Sequence, residues 1–333
     1  MHSSTNEELF DYLNEITTPS EDTKLNGYPL DQNDNLFICL DSLGRSQFLI
    51  SVEESNSYPP PPNLSNLEVF YGQDCSIETD KGQISKKWIR VVCKSEEKEI
   101  VKVFLENLRP LLADLSLPVN PDRFSSVIEE MITLFKTLAA GGIRSERGLW
   151  GELFIIHQSS NKDLLVKTWH DENIDLYDFG MEGNRIEVKT STPKERKHKI
   201  SLNQAYPSEG LKVLLASVLL DKVQIGFSLR KLRDEILSAL SSEELKLKLN
   251  KLIASSLGKD YAQSLDKAIF DYQIAKESLQ FYDMNSIPKV ADYRKIDRNI
   301  TEVSFTSNLE GTKAINKDDF AQKSDLFKFT LNS

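Results

Sequence analysis

The chain has 333 residues, 39% hydrophobic and 28% charged, the balance of a globular protein with room for two domains. A net charge of −10 argues against a general nucleic-acid-coating protein, which is basic overall, but leaves open an enzyme with a locally positive groove. No apolar run is long enough to span a bilayer and the start, Met1-His2-Ser3-Ser4-Thr5-Asn6-Glu7-Glu8, is polar and acidic, so neither a membrane helix nor a secretory signal is expected.

A short helix is expected at 7–16, then apolar strands at 36–40 and 47–51 around the turn Asp41-Ser42-Leu43-Gly44. Pro59-Pro60-Pro61-Pro62 is stiff and extended, neither helix nor central strand. Residues 67–71 and 88–93 read as further strands, and Ile100, Val103, Phe104 and Leu108 recur at helical spacing. Residues 1–112 therefore read as a β-rich N-terminal module closed by a helix. The prolines within 115–121 mark a linker. Cys39, Cys75 and Cys93 are odd in number and outside any metal-type spacing, as expected of reduced thiols in a cytoplasmic protein.

Residues 122–333 read as a second, mixed α/β domain. Phe124, Val127, Ile128, Met131, Ile132, Leu134 and Phe135 make an amphipathic helix that stops near Gly141-Gly142. A second helix is expected over 145–158, containing Gly148-Leu149-Trp150-Gly151-Glu152-Leu153, with Trp150 packed in the core. Strands are expected at 164–169 and 174–179, with turn chemistry in Gly180-Met181-Glu182-Gly183-Asn184 and a returning strand at 185–190. The apolar run 212–219 suits a strand buried on both faces. One or two helices over 229–257 and late strands at 279–282 and 300–305 complete the pattern.

Glu-x-Lys occurs four times, at Glu96, Glu187, Glu195 and Glu244. Three of these lie in charged runs or an expected helix, where a solvated surface explains them. Only Glu187 and Lys189 alternate with apolar Ile186 and Val188 on an expected strand, which puts both charges on one face. The eight residues between Asp178 and Glu187 suit a hairpin that returns Glu187 beside Asp178. Two carboxylates suit Mg²⁺, and an amine beside them could offset charge developing on a phosphate. Spacing alone leaves a second reading open: a solvent-facing hairpin with an ordinary ion pair.

Other motifs exclude other chemistries. The four histidines, His2, His157, His170 and His198, lack zinc-ligand spacing and read as structural or exposed. There is no phosphate-binding glycine loop followed by Lys-Ser/Thr, and Asp178-Phe179-Gly180 lacks the other kinase signatures.

The succession Gly148-Leu149-Trp150-Gly151-Glu152-Leu153, then Asp178-Phe179, then Ile186-Glu187-Val188-Lys189-Thr190 resembles the PD-(D/E)XK nuclease superfamily. More narrowly, it looks like a prokaryotic, defence-associated PD-(D/E)XK protein family. The resemblance implies a restriction-endonuclease-like core, a mixed central sheet flanked by helices. It implies Asp178 and Glu187 as metal ligands, Lys189 as catalytic, and Glu152 as the acidic residue reaching the site from the first core helix. Tyr177 stands where the superfamily's name has proline. Gln204 resembles the polar helix residue that many such nucleases place beside the metal, and a surface amide is its other reading. Lys194, Arg196, Lys197 and Lys199 form a local positive cluster that could hold phosphates, or be a solvated loop.

The implied activity is a Mg²⁺-dependent endonuclease acting on DNA, Mn²⁺ substituting, in a bacterial restriction or anti-phage system. ATPase, helicase or methyltransferase subunits are the expected partners, and no membrane. The alternative is a non-catalytic DNA-binding or interaction subunit of a defence complex.

Overall fold

The computed structural model describes residues 6–20, 24–62, 64–79, 82–113, 115–142, 144–170, 175–291, 299–300 and 302–332. Residues 1–5 of the polar start, Ile174 of the expected strand 174–179 and Thr301 of the expected strand 300–305 lie outside them. The chain divides into two compact units, Met1–Gly141 and Gly142–Ser333.

The first unit runs α1 (Asn6–Glu15), β1 (Lys24–Pro29), β2 (Leu36–Leu40), β3 (Ser46–Ser51), β4 (Leu67–Thr79), β5 (Gly82–Cys93), α2 (Lys98–Ala113) and α3 (Pro121–Ala139). Its strands close a barrel in the order β1-β2-β3-β5-β4, sealed by a parallel β1–β4 pairing, so the sheet has no free edge. Leu25, Phe37, Cys39, Leu49, Ile77 and Trp88 fill it, with the Trp88 and Phe37 rings edge to face at 5.6 Å.

The boundary falls later than the 112–122 expected from the prolines. Val119 is buried and bridges Val52, which ties the expected linker to the barrel. The reason α3 stays with the first unit is its apolar stripe: Phe135 meets Phe104 of α2 at 6.3 Å. Asn120 caps α3 through the amides of Asp122 and Arg123, and Pro121 fits the first turn because it has no N–H to satisfy.

The second unit continues with α4 (Glu146–Gln158), α5 (Lys162–Thr168), β6 (Phe179–Met181), β7 (Asn184–Ser191), β8 (Lys197–Ser201), α6 (Leu202–Ala205), β9 (Lys212–Leu219), β10 (Lys222–Ser228), α7 (Leu229–Ala239), α8 (Glu243–Leu257), α9 (Tyr261–Lys267), β11 (Ile269–Phe270), α10 (Tyr272–Ser278), β12 (Gln280–Asp283), β13 (Ser304–Asn308), α11 (Lys317–Ala321) and α12 (Asp325–Leu331). A mixed four-stranded sheet, β12-β9-β7-β6, carries the hairpin, with β7 and β9 parallel and the outer pairs antiparallel. β8 pairs with β13 in a separate ribbon.

Two expected strands are corrected here. Residues 162–168 are helix α5, because Asn161 caps the Leu164 amide and starts a helix where Leu164-Leu165-Val166 alone fits either structure. Of the expected strand 174–179, residues 175–178 are turn-like: the Asp175 carboxylate accepts from the Tyr177 amide, and the strand begins only at Phe179.

α4 begins where Ser145 accepts from the Gly148 amide. Trp150 is fully buried, donating Nε1–H to the Phe227 carbonyl at 2.8 Å and stacking on Phe154 at 5.3 Å. Gly151 lets the helix lie against β7, since a Cβ there would stand 2.4 Å from Thr190 Cγ2. Alanine gains about 1 kcal/mol of helix propensity, but a contact that short forces the layers apart. Gly151→Ala is therefore expected to destabilise the chain by about 1–2 kcal/mol net, read as a lower urea midpoint.

Among the described residues no helix is long and apolar enough to cross a membrane.

Candidate active site

The hairpin supplies the geometry. Glu182 and Gly183 both have positive φ, 46° and 77°, between paired Met181 and Asn184, which makes a two-residue turn of the type that matches strand twist. Pairing with β6 ends at Phe179–Ile186, so on that side of β7 the Val188 N–H meets no strand. It donates to Asp178 Oδ2 at 2.7 Å, which fixes that carboxylate at the sheet edge beside β7.

Period-two alternation sorts β7. Val188 and Thr190 face α4, as their closeness to Gly151 shows. Glu187 and Lys189 pair in register with Leu215 and Ser217 and share their face. Lys189 Nζ lies 2.5 Å from Glu187 Oε1. Gln204 Nε2 donates to that oxygen at 2.8 Å and to the Leu176 carbonyl at 3.1 Å, while a reciprocal cap with Ser201 locks its short helix. Glu187 Oε2 is buried without a hydrogen-bond partner.

These groups line a cleft of about 490 Å³, together with Arg144, Glu152, Tyr177, Asp178, His198 and Lys199. Glu152 reaches it from α4, held through Oε2 by Arg144 Nη1 and by Trp169 Nε1.

Burial, then the neighbouring Asp178, pushes Glu187 up to about 8 despite Lys189. Glu152 is raised well above the usual carboxylate range by burial and by Asp178, against the pull of Arg144. Burial draws the Lys189 ammonium down, but Glu187 outweighs it and leaves the group raised. An acid and a base both displaced upward mark a region of excess negative charge.

Such a site suits a divalent cation. The orphaned Glu187 Oε2 and the Asp178 carboxylate are the residues fitted to hold one. Among the described residues no three His, Cys, Asp or Glu side chains converge as a cage. Magnesium does not require one, because it takes one or two carboxylates and keeps its waters.

A family model described as "Putative PD-(D/E)XK family member, (DUF4420)" matches residues 7–310. The chain belongs to this family. No curated protein and no solved structure matches it. Asp178, Glu187 and Lys189, whose succession in the sequence resembles the PD-(D/E)XK signature, are brought together at the hairpin.

The basic cluster is not brought together. Arg196 turns inward, donating to Ser217 Oγ at 2.6 Å and the Ser278 carbonyl at 2.6 Å. Lys197 pairs with Glu195, Lys194 is exposed, and of the four cations Lys199 lines the cleft. Two cleft residues escaped the sequence reading. His198 is buried, bonded through Nε2 to Ser217 Oγ at 2.6 Å, and pushed down to about 4 by burial, Arg196 and Lys189, so it is neutral near pH 7. Its alternation with Ile200 on β8 carried the signal. Arg144 had no such signal, since it meets Glu152 across two helical turns.

Proposed function

We propose that this chain is a metal-dependent endonuclease hydrolysing DNA phosphodiesters. The four-stranded sheet with α4 on one face is read as its restriction-endonuclease-like core. The observation that carries the reading is Glu187 Oε2, buried and unpartnered, beside a second carboxylate and a lysine.

Asp178 and Glu187 would hold Mg²⁺, or Mn²⁺ in its place; when bound, such an ion neutralises phosphate charge and acidifies water. The Val188 amide fixes Asp178, and Gln204 fixes Glu187. Lys189, held by Glu187, presents a permanent positive charge to the cleft, where negative charge grows on the phosphate oxygens during cleavage. Lys199 at the wall is placed to steady the strand's backbone.

An acidic chain grips DNA weakly by itself. The reading therefore includes partner subunits, an ATPase, helicase or methyltransferase, within a cytoplasmic restriction-type defence system.

The test is supercoiled plasmid incubated with the purified chain. Nicking is expected with Mg²⁺ or Mn²⁺ and not with EDTA. Intact plasmid under every metal condition would favour a non-catalytic subunit instead.

A further inference from the structure

The β8–β13 ribbon stands apart from the four-stranded sheet, yet buried groups tie it there. Arg196 and His198 both reach Ser217 Oγ on β9 at 2.6 Å, and Ser307 Oγ on β13 donates to the Pro288 carbonyl at 2.8 Å. Ile200 and the half-buried Phe305 pack in one cluster with Val213 and Leu215 of β9. A two-stranded ribbon is marginal by itself. These anchors hold it against the sheet face from which Glu187 and Lys189 project.

Residues opposite one another in an antiparallel pair share a face. His198–Ser307 and Ile200–Phe305 point inward. Lys197–Asn308, Lys199–Thr306 and Ser201–Ser304 point away from the core, all exposed except Ser201, which is half-buried. No residue of these five pairs is acidic, in a chain with 51 acids against 41 bases, and Glu195, Glu302 and Glu310 lie beyond the paired window. Lys197 is held by Glu195, whereas Lys199 carries the strip into the wall of the cleft.

We propose that this ribbon is the DNA-docking element of the chain, its outer face seated in the major groove of a duplex beside the cleft. The inference rests on the nuclease reading above. A major groove about 12 Å wide admits a two-stranded ribbon, and five paired residues extend about 17 Å. The amide, hydroxyl and ammonium groups of the outer face are types that contact base edges and phosphates. Single strands, in contrast, are held by stacking on aromatic side chains, and both rings of the ribbon, His198 and Phe305, turn inward. Lys199 lines the cleft together with Lys189, so a backbone held at Lys199 runs on into the site.

The test is fluorescence anisotropy of the full chain with a labelled duplex oligonucleotide and with its separated strands, at low salt in EDTA. The duplex should bind about tenfold or more tighter than either strand. Lys199→Ala should weaken duplex binding and flatten the plot of log affinity against log salt by about one unit of slope, the share of one phosphate contact. Thr306→Glu sets a carboxylate opposite Lys199 on the outer face and should weaken duplex binding by about tenfold or more. In plasmid nicking with Mg²⁺ it should raise KM and leave kcat within about twofold, a split that partial misfolding does not give. Should Thr306→Glu fail to fold, Asn308→Asp places the same charge on the same face.

Single strands bound as tightly as the duplex would overturn the proposal. So would a duplex affinity that neither Lys199→Ala nor the acidic variant lowers, or nicking whose KM the acidic variant leaves unchanged. In each of those cases Mg²⁺-dependent nicking by the native chain preserves the nuclease reading. A native chain that neither binds nor nicks duplex DNA overturns both.

Discussion

Lys189→Ala and Asp178→Asn should each slow Mg²⁺-dependent plasmid cleavage by about two to three orders of magnitude. Lys189 is a quarter exposed and sits 2.5 Å from Glu187 in a field that favours its charged form, so its ammonium persists at any working pH. Taking it away removes a fixed charge from the place where phosphate charge develops, and affects the ground state less. Asp178→Asn separates charge from structure, because an amide oxygen can still accept from the Val188 N–H. Lys189→Arg should not rescue, since a planar fork cannot replace a point charge in the same contact. The observable is the first-order rate of supercoiled-plasmid loss for protein purified in parallel. Cleavage that persists at the native rate in both variants would assign the activity to another site or another protein.

Much of this site was legible because its decisive geometry is local. Alternation of Ile186-Glu187-Val188-Lys189 fixed which side chains share a face, and the turn chemistry at Glu182-Gly183 fixed the register that returns Glu187 to Asp178. The helix expected over 145–158 likewise placed a buried ring, Trp150, and an acid, Glu152, on one element, whereas the Ser145 cap and the close approach of Gly151 to β7 show only in the structure. Features that depend on distant segments were not legible. Arg196 looked like a phosphate contact, yet its partners Ser217 and Ser278 arrive from β9 and α10. Arg144 and Glu152 are close in the chain, but the Trp169 and His170 groups that brace them come from another segment. α5 failed for another reason: three consecutive apolar residues satisfy a strand and a short helix equally, and only the Asn161 cap separates them.

The second large effect concerns stability and has the opposite sign to activity. Glu187 moves from an ordinary value of 4.5 to about 8, because burial and Asp178 oppose its charge. A carboxyl raised in this way binds its proton more tightly folded than unfolded, so between those two values the folded chain carries the extra proton and stability falls as pH rises. Its contribution is complete below about pH 4.5 and lost by about pH 8. Glu152, raised by burial and Asp178, pushes in the same direction. In EDTA the unfolding free energy from urea titrations should therefore drop by on the order of 3 kcal/mol between pH 5 and pH 8. Glu187→Gln should flatten that slope and stabilise the metal-free chain at pH 8 while abolishing cleavage, since the amide keeps the Gln204 neighbourhood but carries no charge. Mn²⁺ should reverse the loss in the native chain, adding about 2.7 kcal/mol at a hundredfold excess over its dissociation constant, and should act more strongly at pH 8 than at pH 5. A native chain that gains stability from pH 5 to pH 8 without metal would mean that Glu187 is already compensated when no cation is bound. The strain at this hairpin would then not be the cost of holding two carboxylates ready for a divalent ion.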